Sequence, residues 1–590
     1  GTGRKDGMKP VKTAGTAAAV CSLAGVGLLP RLLNWGIDAT HSAGMLLLAG
    51  LLWTAGKAVL SEKDRRLLRF SLTFGLVFAF CQLLGARLDS AGTVQDGMLL
   101  LLAGSLACAP AAGGLFLLLA KGTAGAAAAS KEDASTPGRT FWMTFAALLL
   151  CWLPYYLAYF PGMFNYDSAG EAAQFTTGQY NGAFPPLHTL LLAAFYRLGG
   201  AMGSYNAGIA LYTAAQACTV AAALAYANAM LCRLGVKRGF RIGLATAYGL
   251  LPGFPLLVMS TTKDLFFCAA LLPLLCLLAE GQWETKRLKK RGYAVAVVAL
   301  TALICLLRPN GAAAVVVALV SGWFLLPKEG HRRFAVLLLC GIIGFAGADQ
   351  GMKAALHPSK TGLRELLSVP LAQVSRVYVR QQEELTETEN EEILSFIPDA
   401  QRYQPHLADG VKRHTAVGMS TLPQFLELYG RLLRQYPADF ADAWAYLTKG
   451  YWHLDDTTHL DIYAERGGHG YMETAAQPGY GVSRVSLWPW LMETLDRLFV
   501  ENEYRWIPLL SALIEPAFWC WLFLGALWLA VFRRDRGALL FGLPLAGIYL
   551  TLLFGACAYL RYALPLALGA LPLTGLLQAR TPENGKGTNE

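Results

Sequence analysis

Apolar residues in this chain come in unbroken runs rather than in alternation. Leu99 to Ala120 is one of them, close to the roughly 20 residues that a helix needs to cross a bilayer. Barrel strands would instead alternate over roughly ten residues. Inside lipid only helices and closed barrels satisfy every backbone polar group, so the pattern predicts an all-α polytopic membrane protein. Basic clusters separate the runs, at Arg4 to Lys12, Lys63 to Arg69, Cys232 to Arg241, Lys286 to Arg291, Lys328 to Arg333 and Arg533 to Arg536. Placing all of them on the cytoplasmic side gives spans near 17–34, 43–60, 67–86, 97–120, 140–160, 206–231, 240–258, 264–280, 292–308, 311–327, 333–350, 506–531, 538–556 and 558–578. That reading has about 14 transmembrane helices (13–14), with 187–200 as a juxtamembrane or re-entrant helix on the outer side. If 187–200 also spans, one basic loop falls outside. The first run continues through Arg31 into Trp35 and reads as a signal anchor.

The polar interval 351–505 predicts a mainly helical extracytoplasmic domain. Leu363 to Val379 carries a helical stripe, Thr388 with Glu391 suggests a capping box ahead of Phe396, and Thr421 to Tyr436 is a third helix stopped by Pro437. Four parts follow: a four-helix module with a cytoplasmic linker over 1–139, a core over 140–350 with a first outer loop at 161–205, the domain over 351–505, and the final spans and tail over 506–590. The Ala/Gly/Ser-rich stretch Lys121 to Thr140 reads as a flexible linker.

Composition adds exclusions. The chain is 55% hydrophobic and 15% charged, and its net charge of +10 is spread over the short inter-span clusters. That distribution fits orientation signals, so no nucleic-acid partner is expected. All twelve cysteines lie in or beside apolar runs and none falls in 351–505, so disulfides do not hold the outer domain. No CxxC or paired Cys/His spacing suggests structural zinc.

Under this topology residues distant in sequence reach one surface. The loop Phe160 to Ser168 brings Tyr166 and Asp167, the segment Phe184 to His188 brings His188, and span ends bring Lys263, Asp264, Arg308, Arg561 and Tyr562. Each has a plainer reading. The arginines could snorkel to headgroups, Lys263-Asp264 could be a helix-start ion pair, Tyr166-Asp167-Ser168 could be an Asx turn, and His188 could simply pack. Charges at membrane depth are costly unless they pair or line a cavity, so their conjunction suggests a polar pocket. Arg and Lys bind phosphate through charge-assisted hydrogen bonds, and a carboxylate beside an acceptor hydroxyl can serve as general base. Such a set suits transfer from a phosphate-linked lipid. A further cluster, His453, Asp455, Asp456 and His459, could bind acceptor groups or a divalent ion, against a plainer reading as a solvated loop.

Pro161-Gly162 through Tyr166-Asp167-Ser168, Pro186 and His188, Lys263-Asp264, Leu307-Arg308-Pro309-Asn310-Gly311 and Arg561-Tyr562 resemble the GT-C superfamily of polytopic glycosyltransferases, particularly a bacterial branch. Ser368 to Val374, Ala408-Asp409-Gly410-Val411-Lys412 and Gly450-Tyr451-Trp452 share in the resemblance, which covers about 140–580. It implies a GT-C-like fold in a bacterial cytoplasmic (inner) membrane, with the active site on the extracytoplasmic face. It implies a polyprenyl-phosphate sugar as donor and a cell-envelope glycan, lipid or protein as acceptor. Asp167 would be the base, Asp264 the second acidic position and His188 a further catalytic candidate, while Lys263, Arg308, Arg561, Tyr562 and Tyr166 would bind the donor phosphate. The first loop has Ser168 after Asp167 where related enzymes pair two acids. No cofactor is expected, with a divalent cation (Mg or Mn) left open. The alternative function class is a transporter or flippase of a lipid or lipid-linked sugar, and a third is a non-catalytic lipid sensor.

Overall fold

The computed structural model describes residues 9–32, 43–94, 97–128, 136–164, 166–359, 363–454, 481–499 and 501–579. Among them every named element is a helix, and strand-like pairing is confined to isolated bridges. In chain order the principal helices are α1 (Lys9–Leu32), α2 (Ala43–Leu60), α3 (Arg65–Ala91), α4 (Met98–Ala128), α5 (Pro137–Ala158), α6 (Tyr166–Thr177), α7 (Pro186–Ala201), α8 (Tyr205–Arg233), α9 (Arg238–Leu250), α10 (Gly253–Val258) and α11 (Lys263–Trp283). They continue as α12 (Arg291–Leu307), α13 (Asn310–Leu325), α14 (His331–Leu356), α15 (Ser368–Arg380), α16 (Glu387–Phe396), α17 (Leu422–Gln435), α18 (Pro437–Thr448), α19 (Pro489–Phe499), α20 (Pro516–Arg533), α21 (Arg536–Leu552) and α22 (Leu560–Leu576).

Seven described helices are long and apolar enough to cross a membrane: α3, α4, α5, α8, α11, α14 and α20. Six shorter apolar segments, Thr13–Leu29, Met45–Leu60, Arg291–Leu307, Asn310–Leu325, Arg536–Leu552 and Leu560–Leu576, accompany them. Two expected spans take another form. The run 240–258 is broken, with α9 ending at Leu250, Leu251 extended (ψ 117°) and α10 starting at Gly253. Pro252 is the cause, since proline pushes the preceding residue out of the helical region. The run expected from 506 becomes a single turn at Glu503–Trp506, a short helix Pro508–Ile514 and then α20, two of these helices opening on proline. Segment 187–200 forms α7, which packs on α6 and α8.

α11 is the central helix, apolar all round and buried against α8, α12, α21 and α22. Around it lies one continuous core that includes Phe267, Leu271, Leu275 and Leu278 of α11 and Leu545 and Leu566 of its neighbours. The polar domain that the sequence expects on the outer side (the outer domain) has its own core, in which Leu371, Val374 and Val377 of α15 meet Ile393 and Phe425, Leu428 and Leu432 of α17. Its capping box is Thr386 with Glu389, two residues ahead of the expected pair: Thr386 Oγ1 accepts from Glu389 N at 3.2 Å, and Glu389 Oε2 accepts from Thr386 N at 2.9 Å.

The first four helices are joined to α20 and to the outer domain. Gly75 of α3 lies against the backbone of α4, so close that a Cβ there would stand 2.1 Å from Ala109 O. Trp528 Nε1 of α20 donates to Phe70 O at 3.1 Å. The outer domain reaches the far end of α3: Tyr446 Oη donates to Leu88 O at 2.8 Å, Val94 N donates to Asp442 Oδ1 at 2.8 Å, and buried Lys449 pairs with Asp89.

Candidate active site

Asp167 owes its position to a locked loop. Gly162 turns with φ 133°, a conformation open to glycine, and a Cβ there would strike Thr213 Oγ1 at 2.1 Å. Met163 then runs beside Met259 to Thr261: Met163 N donates to Met259 O at 2.7 Å, and Thr261 N donates to Met163 O at 2.9 Å. Ser168, fully buried, donates its hydroxyl to Thr261 O at 2.6 Å. Asp167 on the first turn of α6 is thereby registered against Lys263 on the first turn of α11.

The side chains meet accordingly. Asp167 Oδ2 receives Lys263 Nζ at 3.1 Å and Arg561 Nη1 at 3.1 Å. One residue further along α11, Asp264 Oδ1 stands 2.8 Å from Arg308 Nη1. Tyr562 joins the two pairs, since its ring carries the guanidinium of Arg308 at 5.0 Å and that of Arg561 at 4.8 Å. Arg561 Nη2 also donates to Tyr562 Oη at 3.1 Å. Lys263 lies 5.3 Å above the ring of Phe184. Asp167 remains 24% exposed and Asp264 only 1%, so the first acid keeps an open edge and the second is closed in. Burial works to raise the Asp167 carboxyl, but Lys263 and Arg561 outweigh it and hold the group far below the usual carboxylate range.

The outer domain braces the arginine side. Ala408 N donates to Ala556 O at 2.9 Å, and Tyr451 Oη donates to Cys557 O at 3.0 Å. Two outer-domain motifs thus fix the segment that leads into Arg561. Lys412 beside them sits 2.8 Å from Asp409 and 2.7 Å from Glu365. Burial would lower its ammonium, and the two carboxylates raise it instead.

His188 takes a different place from the one expected of a catalytic group. It is 1% exposed, its Nδ1 lies 2.9 and 2.7 Å from the two oxygens of Glu171, and its Nε2 lies 2.6 Å from Tyr212 Oη. This closed chain holds α6, α7 and α8 together beneath Asp167 and leaves the ring no face toward a substrate. Glu171 is the residue that sequence reasoning missed. It follows Asp167 by four positions, the spacing of one helical face, a signal visible only once 166–177 is read as a helix. Tyr166 opens α6. His453 is buried against α3, with Nε2 3.6 Å from Asp89 Oδ2, so it belongs to the docking of the outer domain. Asp455, Asp456 and His459 lie outside the described residues. Among the described residues no group of three or more His, Cys, Asp or Glu could hold a metal ion.

A profile of a family of unknown function, DUF6020, matches residues 185–586, more than half of the chain. The chain belongs to that family. The matched range of DUF6020 takes in Lys263, Asp264, Arg308, Arg561 and the outer domain, and begins after Asp167 and Glu171. No curated protein and no solved structure matches the chain.

Proposed function

We propose that this DUF6020 member is a GT-C-like membrane glycosyltransferase that moves a sugar from a polyprenyl-phosphate donor to an acceptor of the bacterial cell envelope on the extracytoplasmic face. The acceptor is a glycan, a lipid or a protein. The observation that carries the reading is a part-exposed carboxylate, Asp167, held between two cations at 3.1 Å each, with a third cation, Arg308, across the shared ring of Tyr562.

The arrangement suits an inverting displacement. The acceptor oxygen attacks the anomeric carbon, the bond from that carbon to the phosphate oxygen breaks, and the acceptor proton passes to Asp167. The phosphate leaves with both bonding electrons and needs no strong acid, because Lys263, Arg561 and Arg308 take up its charge. While it is paired to Lys263 and Arg561, Asp167 is a poor base. A donor phosphate that draws those cations toward itself returns basicity to Asp167, which ties deprotonation of the acceptor to donor occupancy.

The deciding experiment is glycosyl transfer and donor hydrolysis in reconstituted membranes with a panel of polyprenyl-phosphate sugars. The reading expects turnover with one donor, lost in Asp167→Asn while donor binding persists. Donor binding by the wild type, coupled to flux of the lipid across the bilayer and without transfer, would favour a transporter instead. That second reading draws on the buried Glu171–His188–Tyr212 chain, which starts one turn along α6 from Asp167.

A further inference from the structure

At the end of the bundle away from Asp167, a cavity of about 470 Å³ opens between α5, α8 and α9. From Arg139 to Ala158 α5 runs about 28 Å at 1.5 Å per residue, with the arginines of the cavity at its start and the loop that carries Asp167 beyond its end. Arg139, Arg238 and Arg241 line one end of it, and among the described residues no Asp or Glu lines it. The remaining lining is mostly apolar and opens sideways: Met143, Ile242 and Leu250 are each more than half exposed, Met143 on the candidate membrane helix α5.

Two further features mark it as built. α9 starts beside the arginines with no side-chain cap on its first-turn amides, which leaves donors and a positive dipole end for an anion. Asn228, 2% exposed on the cavity wall, donates to Thr144 Oγ1 at 2.8 Å and Arg241 O at 3.2 Å, while its Oδ1 has no hydrogen-bond partner. Arg241 is fixed at the back, its Nη1 donating to Thr140 Oγ1 at 2.9 Å and its Nε to Val236 O at 3.0 Å. Arg139 and Arg238 stand exposed at the mouth.

We propose that this cavity binds an anionic glycerophospholipid, its phosphate between Arg139 and Arg238 at the mouth and an acyl chain along Met143, Ala147 and Ile242. Arginine's planar fork matches phosphate, and a basic pocket between membrane helices that is open to the side takes headgroup and tail together. A free phosphate would leave the apolar wall unused. A zwitterionic lipid would bring its own cation against three arginines.

The test is titration of the purified full chain in neutral detergent with phosphatidylglycerol and with phosphatidylcholine of the same acyl chains, and competition of the first by excess inorganic phosphate. Phosphatidylglycerol is expected to bind more tightly, to resist phosphate, and to weaken by about thirtyfold in Arg139→Gln/Arg238→Gln, the factor for two basic contacts, with phosphatidylcholine unaffected. Should the double variant unfold, Ala147→Phe, which fills the tail channel and spares the arginines, carries the same expectation of lost phosphatidylglycerol binding. Equal binding of the two lipids, unchanged affinity in a folded variant, or ready displacement by inorganic phosphate would each overturn the assignment.

Discussion

Asp167 and Glu171 stand one turn apart on α6 and live in opposite surroundings. The first is 24% exposed between Lys263 and Arg561, and the second is wholly buried against His188. The same helix thus leaves one acid part-exposed and anchors itself with the other.

Glu171→Ala is therefore expected to act on the fold. It leaves Nδ1 of buried His188 without its partner, and an unsatisfied buried polar group costs about 1–3 kcal/mol. Chemical or thermal unfolding in detergent measures it, and Glu171→Gln, which retains an acceptor oxygen, should lose less. A variant as stable as the wild type would mean that the chain does not hold α6.

Asp167→Asn is expected to keep donor binding and reduce transfer by roughly 10²–10⁴-fold, the range of general-base contributions. Single-turnover rates at saturating donor separate the two effects. Arg561→Gln should do the reverse, weakening donor binding first.

The pH response has a definite sign. Because the folded Asp167 carboxyl lies below the usual carboxylate range, its ion pairs contribute stability at pH above the unfolded value of about 4. That contribution is lost as pH falls from there through the lowered folded value. Thermal midpoints recorded from neutral pH into this acid window should fall more steeply for the wild type than for Asp167→Asn.

Arg376→Ala should loosen the outer domain. Arg376 is 4% exposed, 2.8 Å from Asp442 Oδ2 and 3.3 Å from Asp439 Oδ1, and it donates to Gly92 O at 3.1 Å. Its removal strands two buried carboxylates, and breaking a buried pair costs about 3–5 kcal/mol. Hydrogen exchange is expected to rise in α15, α18 and the turn after α3.

Much of the fold was legible from composition and apolar runs, because a membrane helix must be apolar along its length whatever its neighbours. The convergence of Asp167, Lys263, Arg308 and Arg561 was also legible, since each stands at the end of an apolar run. Three details were not. Glu171 looked like part of a loop because α6 is short and weakly apolar. The segment from Thr386 to Glu391 contains two overlapping caps of the same pattern, and burial of Leu385 favours the earlier one. The break at Pro252 was hidden by apolar residues on both sides, since hydropathy does not register a missing backbone donor.

The bonds that tie Met163 and Ser168 to Thr261 have a mechanical consequence. They weld the start of α6 to the start of α11, so Asp167 and Lys263 move as one piece. Arg561 reaches the same carboxylate from α22, whose approach is tied instead to Ala408 and Tyr451. Two separately anchored pieces thus meet at one carboxylate, and any movement between them is taken up at the Arg561 contact.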